Sequence, residues 1–115
     1  MIRIYHKANC STSLETLRLL KQNTKEQVEV IEYLTATPTA KELKEILKML
    51  GMKALDFLRK KEPLYKEKYE GKNLTEAQWI KVMTEHPILI ERPVIIKDGK
   101  AIIARPPEKV LELIK

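Results

Sequence analysis

The chain contains a single cysteine, Cys10, between a short apolar segment and the start of a helical pattern. Backbone N–H groups at the start of a helix are unpaired and lie at the positive end of the helix dipole, so they stabilise a neighbouring thiolate. The residues that follow, Ser11, Thr12 and Ser13, can donate hydrogen bonds to a thiolate or simply cap the helix. A lone cysteine is more often a small buried apolar residue. The polar surroundings of Cys10 favour a nucleophilic thiol instead.

Four other side chains are candidates for the same chemistry. His6 lies four residues before Cys10, where an imidazole could favour the thiolate or move a proton, although a turn histidine without a role is equally possible. Three of the five arginines, Arg59, Arg92 and Arg105, stand where the chain is predicted to change direction. Arginine binds oxyanions through planar, bidentate donors, whereas a single arginine is more often a solvated surface charge. These residues suit the attack of a thiolate on an oxyanion only if the fold brings them to Cys10.

Composition limits the classes of function. The net charge of +6, from 22 Lys and Arg against 16 Asp and Glu, allows an anionic partner. The lysines lie beside glutamates and the aromatic residues do not alternate with basic ones, so direct nucleic-acid binding is not expected. His6 and His86 are too far apart in sequence to form a metal site with one cysteine. No apolar run approaches the roughly 20 residues that span a bilayer, and no signal peptide precedes the first strand, so a cytoplasmic location is expected.

Two familiar cysteine motifs are absent. Cys10 and Ser13 form C-x-x-S rather than C-x-x-C, which excludes a dithiol cycle within the chain. Thr16 occupies the position where the C-x5-R loop of tyrosine phosphatases has its arginine. Chemistry at Cys10 must therefore use a different arrangement of basic residues.

The first third of the chain predicts a parallel βαβ unit. Strands are expected over residues 2–5 and 28–33, with a helix between them that begins near Ser11 or Thr12. Thr12 and Glu15 have the spacing of a capping box, which places Cys10 at the start of the helix. The inner face of this helix is predicted to carry three leucines at helical spacing, Leu14, Leu17 and Leu20.

The remaining chain predicts a helical block and then a ββα unit. A helix capped by Thr39 is expected to end at Gly51, two short helices follow within residues 53–70, and another helix runs from about Thr75 to Glu85. Strands are predicted on either side of Asp98-Gly99, which is a strong hairpin signal, and Pro107 begins a last helix.

This order of elements predicts an α/β, thioredoxin-like fold. Residues 1–115 are expected to form a single domain, whose four-stranded mixed sheet (βαβ then ββα) carries a helical insertion over approximately residues 39–86 between its halves. In such a fold the segment Arg92-Pro93 returns beside the cysteine, commonly with a cis peptide bond at Pro93. Arg92 is therefore expected near Cys10.

Several segments occur along the chain in the order of one known family: His6-x-x-x-Cys10-Ser11-x-Ser13, Glu32-Tyr33-Leu34, Pro38-Thr39, Leu58-Arg59-Lys60, the run from His86 to Pro93, and Arg105-Pro106-Pro107-Glu108. Through these segments the sequence resembles the glutaredoxin-dependent arsenate reductase family over nearly its whole length. The chain differs from the usual family pattern at Lys7 and Ala8, where the family commonly has His-Asn-Pro-x-Cys, and at Leu14, where an arginine is frequent.

The resemblance implies an activity and a role for each residue. Cys10 matches the catalytic cysteine, His6 a histidine that promotes the thiolate, and Arg59, Arg92 and Arg105 the arginines of an oxyanion pocket. Cys10 would attack arsenate, glutathione would attack the adduct and reduce arsenic to the trivalent state, and glutaredoxin would resolve the glutathione mixed disulfide. No bound cofactor is implied, and glutathione is a co-substrate.

Two other functions remain open. A regulator of the Spx type shares a related fold, binds RNA polymerase and often senses oxidants through C-x-x-C, but Ser13 replaces the second cysteine here. The chain could also be a non-catalytic module, in which the arginines bind an anion or glutathione and no reaction follows. Turnover of arsenate that depends on Cys10 separates the enzyme from both alternatives.

Overall fold

The computed structural model describes residues 1–114 and contains one four-stranded sheet with helices. The chain divides into two compact units. One unit consists of Met1–Ala36 together with the chain from Arg92 onward, and the other of Thr37–Glu91. The first unit holds the sheet, and the second is helical.

The sheet consists of four strands: β1 Ile2–His6, β2 Val28–Glu32, β3 Val94–Lys97 and β4 Lys100–Ile103. They lie in the order β2-β1-β3-β4. β1 pairs with β2 in parallel and with β3 in antiparallel orientation, and β3 pairs with β4 in antiparallel orientation. This is the mixed sheet of the predicted thioredoxin-like fold.

The turn between β3 and β4 confirms the predicted hairpin. Asp98 and Gly99 both adopt positive φ angles, of 50° and 76°, which is the conformation that a two-residue type I′ turn requires. The same sheet packs against helix α1, which spans Ser11–Asn23, and against the C-terminal helix α6, Val110–Ile114, which follows a 3₁₀ turn at Pro107–Lys109. The buried apolar cluster of this unit draws on β1, α1, β3, the residue after β4, and α6, and consists of Ile2, Ile4, Leu20, Ile95, Ala104 and Val110.

The predicted inner face of α1 is wrong at its first turn. Leu14 is 49% exposed, whereas Ser13 and Thr16 are fully buried beside Leu20. The Thr16 hydroxyl donates to the carbonyl oxygen of Thr12, 2.8 Å away, and the Ser13 hydroxyl is also hydrogen bonded. Burial of these two polar side chains is tolerated because their hydroxyl groups have partners.

The predicted capping box of α1 does not form. The helix begins at Ser11 with Cys10 as its N-cap residue, so Ser13 rather than Glu15 occupies the third helical position. Glu15 instead forms an ion pair with Arg18 on the exposed face of the helix. The helix therefore starts two residues closer to the cysteine than the Thr12 pattern indicates.

The helical unit follows the predicted order. Thr39 caps the first helix through a complete capping box with Glu42, and Gly51 ends it in the left-handed conformation, with φ of 68°. Thr75 forms a second capping box with Gln78. The helices span α2 Ala40–Leu50, α3 Ala54–Phe57, α4 Pro63–Lys68 and α5 Glu76–Glu85, and a 3₁₀ turn follows at Pro87–Leu89.

The described part of the chain has neither a membrane-spanning helix nor a cluster of metal-binding side chains. Within residues 1–114, every helix is too short or too polar to cross a lipid bilayer. Among these same residues, no three His, Cys, Asp or Glu side chains lie together in a way that could hold a metal ion.

Candidate active site

Cys10 lies at the junction between the end of β1 and the first turn of α1. Its backbone N–H donates to the carbonyl oxygen of Lys7 at 3.1 Å, and its own carbonyl oxygen accepts from the N–H of Leu14 at 2.9 Å. The chain thus closes a tight turn before Cys10 and enters the helix directly after it. The free thiol of Cys10 is partly buried. It combines a position at a helix N-terminus with access to solvent, as a nucleophile requires.

Two of the three predicted arginines lie at this thiol. Nη2 of Arg105 is 3.7 Å from Sγ of Cys10, and the guanidinium group of Arg92 is hydrogen bonded to the same sulfur. Arg105 also donates through Nε to the carbonyl oxygen of Arg92 at 2.7 Å. Both arginines precede a proline in a cis peptide bond, as expected at Arg92-Pro93 and unanticipated at Arg105-Pro106. The structure therefore places positive charge at Cys10 from two strand ends.

The electrostatics of this cluster favour the thiolate. Partial burial raises the pKa of the Cys10 thiol, but the backbone N–H of Ser13 lowers it by hydrogen bonding to the sulfur. The hydrogen bond from Arg92 and the positive charges of Arg92 and Arg105 lower it further, so the pKa of Cys10 lies below its ordinary value. The charged hydrogen bond to Cys10 helps raise the pKa of the Arg92 guanidinium against the opposing effect of burial, so this arginine stays protonated.

His6 contacts the site through Ser13. The His6 side chain is buried, with 4% exposure, and its Nδ1 lies 2.5 Å from Oγ of Ser13. The same oxygen accepts the backbone N–H of Lys7 at 3.3 Å, so the Ser13 hydroxyl group joins the His6 ring to the turn before Cys10. His6 thus helps to fix Ser13, whose backbone N–H stabilises the thiolate. Whether it also promotes the thiolate directly stays a prediction.

The other hydroxyl residues after Cys10 contribute less to the site. Ser11 is exposed and Thr12 is half-buried. Neither is among the groups that lower the pKa of Cys10. Their predicted support of the thiolate therefore depends on their place in the first helical turn, and it stays a prediction.

The third predicted arginine belongs to the helical unit. Arg59 follows the short helix α3, and its backbone N–H donates to the carbonyl oxygen of Leu89 at 2.9 Å. Its guanidinium group forms ion pairs with Glu62 at 3.2 Å and with Glu91 at 2.8 Å. A role for Arg59 in oxyanion binding stays a prediction, and any anion would compete with these two carboxylates.

Sequence reasoning assigned no role to Tyr33, which lies in this site. Tyr33 directly follows β2 and is fully buried, and its hydroxyl oxygen accepts a hydrogen bond from Nη1 of Arg92 at 3.4 Å. The sequence shows an aromatic residue at the end of a predicted strand, within the segment Glu32-Tyr33-Leu34 of the family resemblance. Its contact with Arg92 depends on two chain segments that are 59 residues apart.

The lowered pKa of Cys10 predicts the pH dependence of its alkylation. Only the thiolate reacts, so the rate with iodoacetamide should reach half of its maximum at a pH below the value of about 8.5 that is typical of a free thiol. The reaction should slow as the pH falls through the lowered pKa. Glutathione alkylated under the same conditions is the control for an ordinary thiol, and coincident profiles would contradict the electrostatic description of the site.

Comparisons with known proteins agree with this fold. A protein-family model described as the ArsC family matches residues 5–113. The sequence is 46% identical to YfgD, an uncharacterised protein of Escherichia coli K12, over 98% of this chain and 96% of that protein. It is 42% identical to an arsenate reductase of Haemophilus influenzae over 96% of this chain and 97% of the relative. The solved structure of an arsenate reductase from Vibrio cholerae superposes with a TM-score of 0.91 at 42% identity, covering 96% of this chain and 95% of that one.

Proposed function

Because the chain belongs to the ArsC family, we propose that it reduces arsenate to arsenite through the single nucleophilic cysteine Cys10, with electrons from glutathione and glutaredoxin. The observation that carries the proposal is the thiol of Cys10 held beside two guanidinium groups, with Nη2 of Arg105 at 3.7 Å. Such a cluster favours a thiolate and binds an anion at the same point. The names of relatives from Haemophilus influenzae and Vibrio cholerae support arsenate as that anion.

The first proposed step joins the sulfur to arsenic. The Cys10 thiolate attacks the arsenic atom of arsenate, an As–S bond forms, and one arsenate oxygen leaves as water after protonation. Two negative species must approach each other in this step, so their repulsion has to be offset. Arg92 and Arg105 supply two positive charges and directed N–H donors beside the sulfur. These groups offset the negative charge of the arsenate oxygens as they approach the thiolate.

The second proposed step transfers two electrons. A glutathione thiolate attacks the Cys10 sulfur of the adduct, an S–S bond forms, and the S–As bond breaks. The electron pair of that bond stays on arsenic, which leaves in the trivalent state as arsenite.

The remaining disulfide joins Cys10 to glutathione. Glutaredoxin then attacks the glutathione sulfur and releases Cys10 as a thiolate. The chain offers Cys10 as its single cysteine, so the reductant has to come from outside.

A coupled assay tests the proposal. The purified protein is mixed with arsenate, glutathione, glutaredoxin, glutathione reductase and NADPH, and both NADPH oxidation and arsenite formation are followed. We expect arsenite and oxidised NADPH in equal amounts, with little turnover when arsenate or glutaredoxin is omitted. If arsenite forms only with thioredoxin in place of glutathione and glutaredoxin, the proposed electron source is wrong but the proposed reduction of arsenate is not contradicted. No arsenite with either reductant would contradict the enzyme and favour a module that only binds the anion.

A further inference from the structure

The two arginines at Cys10 are held in place by different means. Arg105 is fixed by the main chain, because its Nε donates to the carbonyl oxygen of Arg92 at 2.7 Å. The guanidinium group of Arg92 is held by a side chain, because its Nη1 donates to the hydroxyl oxygen of Tyr33 at 3.4 Å. The direction in which Arg92 points therefore depends on a residue that lies outside the cysteine turn.

The fold brings Tyr33 to this place through the register of the sheet. β1 and β2 run parallel, with His6 opposite Glu32 at their carboxyl ends. The residues that follow the two strands therefore lie side by side at the same edge of the sheet. After β1 the chain leads to Cys10, and after β2 it leads to Tyr33. Arg92 enters β3 at the same edge, since β3 is antiparallel to β1. Tyr33 is fully buried and Arg92 is 6% exposed, so solvent competes little for their contact.

We propose that Tyr33 is a positioning residue for the oxyanion site, because its hydroxyl group holds the Arg92 guanidinium against the sulfur of Cys10. A buried guanidinium group needs acceptors that fix its plane, and a neutral hydroxyl does this without cancelling its charge, as a carboxylate would. The positive charge of Arg92 thus stays available to the thiolate and to a bound anion. This positioning role depends on the proposed function in one respect, namely that arsenate is the anion bound at the site.

The variant Tyr33→Phe tests this role, because it removes the hydroxyl group and keeps the buried ring. Two quantities are measured: the pH profile of Cys10 alkylation by iodoacetamide, and the arsenate concentration that gives half-maximal protection against alkylation. We expect the alkylation profile to move to higher pH and the half-protecting arsenate concentration to rise about fivefold, the effect of losing a typical hydrogen bond. Tyr65→Phe, the same change at a buried tyrosine of the helical unit, should alter neither quantity.

A double-mutant cycle separates positioning from a general loss of stability. Arg92→Lys removes the guanidinium group, so adding Tyr33→Phe to that variant should change alkylation and protection by less than about twofold. A fivefold effect of Tyr33→Phe that persists in the Arg92→Lys background would overturn the proposal, as would a Tyr33→Phe protein that matches Tyr65→Phe. The urea midpoints of both phenylalanine variants confirm that the proteins compared are folded.

The alkylation profile also distinguishes two kinds of failure. If the unmodified protein forms no arsenite but Tyr33→Phe still moves the profile to higher pH, the positioning role holds and the proposed function fails. If arsenite forms normally and the profile of Tyr33→Phe is unchanged, the proposed function holds and the positioning role fails.

Discussion

Replacing Cys10 by serine is expected to abolish arsenate reduction, with a loss of about 10³-fold or more, as is seen when other enzymes lose their nucleophile. A serine hydroxyl group is not ionised at neutral pH, and its oxygen forms neither the As–S bond nor the disulfide with glutathione that the proposed cycle requires. Cys10 is the single cysteine of the chain, so another thiol of the protein cannot substitute for it. The measurement is the rate of arsenite formation in the coupled assay.

Two controls make the result for Cys10→Ser specific. The variant should keep the urea midpoint of the unmodified protein within experimental error, because the substituted atom is small and partly exposed. It should also retain affinity for arsenate within a few-fold, since Arg92 and Arg105 remain. Arsenite formation by Cys10→Ser at the rate of the unmodified protein would contradict a covalent role for Cys10.

The elements that position the site could be predicted from local sequence because each carries its own signal. Asp98-Gly99 adopts the positive φ angles of a hairpin turn, and Thr39 forms its capping box, because both conformations depend on neighbouring residues alone. The cis peptide bond at Pro93 was expected from the fold rather than from the residue pair. Local rules and the order of elements thus sufficed for the sheet and for the approach of Arg92 to Cys10.

Helix α1 shows why the details of the site could not be predicted in the same way. Hydrophobic periodicity selected Leu14 for the inner face, but Ser13 and Thr16 are buried there instead. Their burial depends on a hydrogen bond between Ser13 and His6 and on one from Thr16 to a backbone carbonyl. A pattern of apolar residues gives no information about which polar side chains find hydrogen-bond partners in the core. The residue that links His6 to the thiolate is therefore a buried polar residue, which hydrophobic periodicity does not select.

Tyr33 and Arg59 show that contacts between residues distant in sequence could not be predicted from the sequence. Tyr33 contributes a hydroxyl group to Arg92 only because the parallel register of β1 and β2 brings their carboxyl ends together. Arg59 was selected with Arg92 and Arg105 by residue type and resemblance, yet its guanidinium group pairs with Glu62 and Glu91. Residue type predicts that a side chain can bind an anion, and the partners it meets in the fold decide how much of its charge remains available.

Replacing Arg92 by lysine is the second large effect that we expect. Lysine keeps the positive charge but loses the planar group, which donates to Tyr33 and to Cys10 at the same time. Loss of one donor to a developing oxyanion typically costs about 10²-fold in rate, so kcat/KM for arsenate should fall by about 10-fold to 100-fold. The alkylation profile of Cys10 should also move to higher pH, because a hydrogen bond that lowers the thiol pKa is lost.

Arg3→Lys is the matched control for this substitution. Arg3 lies in β1, where its exposed side chain pairs with Glu29 at 3.0 Å, so the same chemical change there should leave kcat/KM and the alkylation profile unaltered. Equal kinetics for Arg92→Lys and Arg3→Lys would show that positive charge alone suffices at Cys10. A selective loss in Arg92→Lys, accompanied by the alkylation shift, would show that the site needs the geometry of the guanidinium group, since one change then weakens both the thiolate and its capture of the anion.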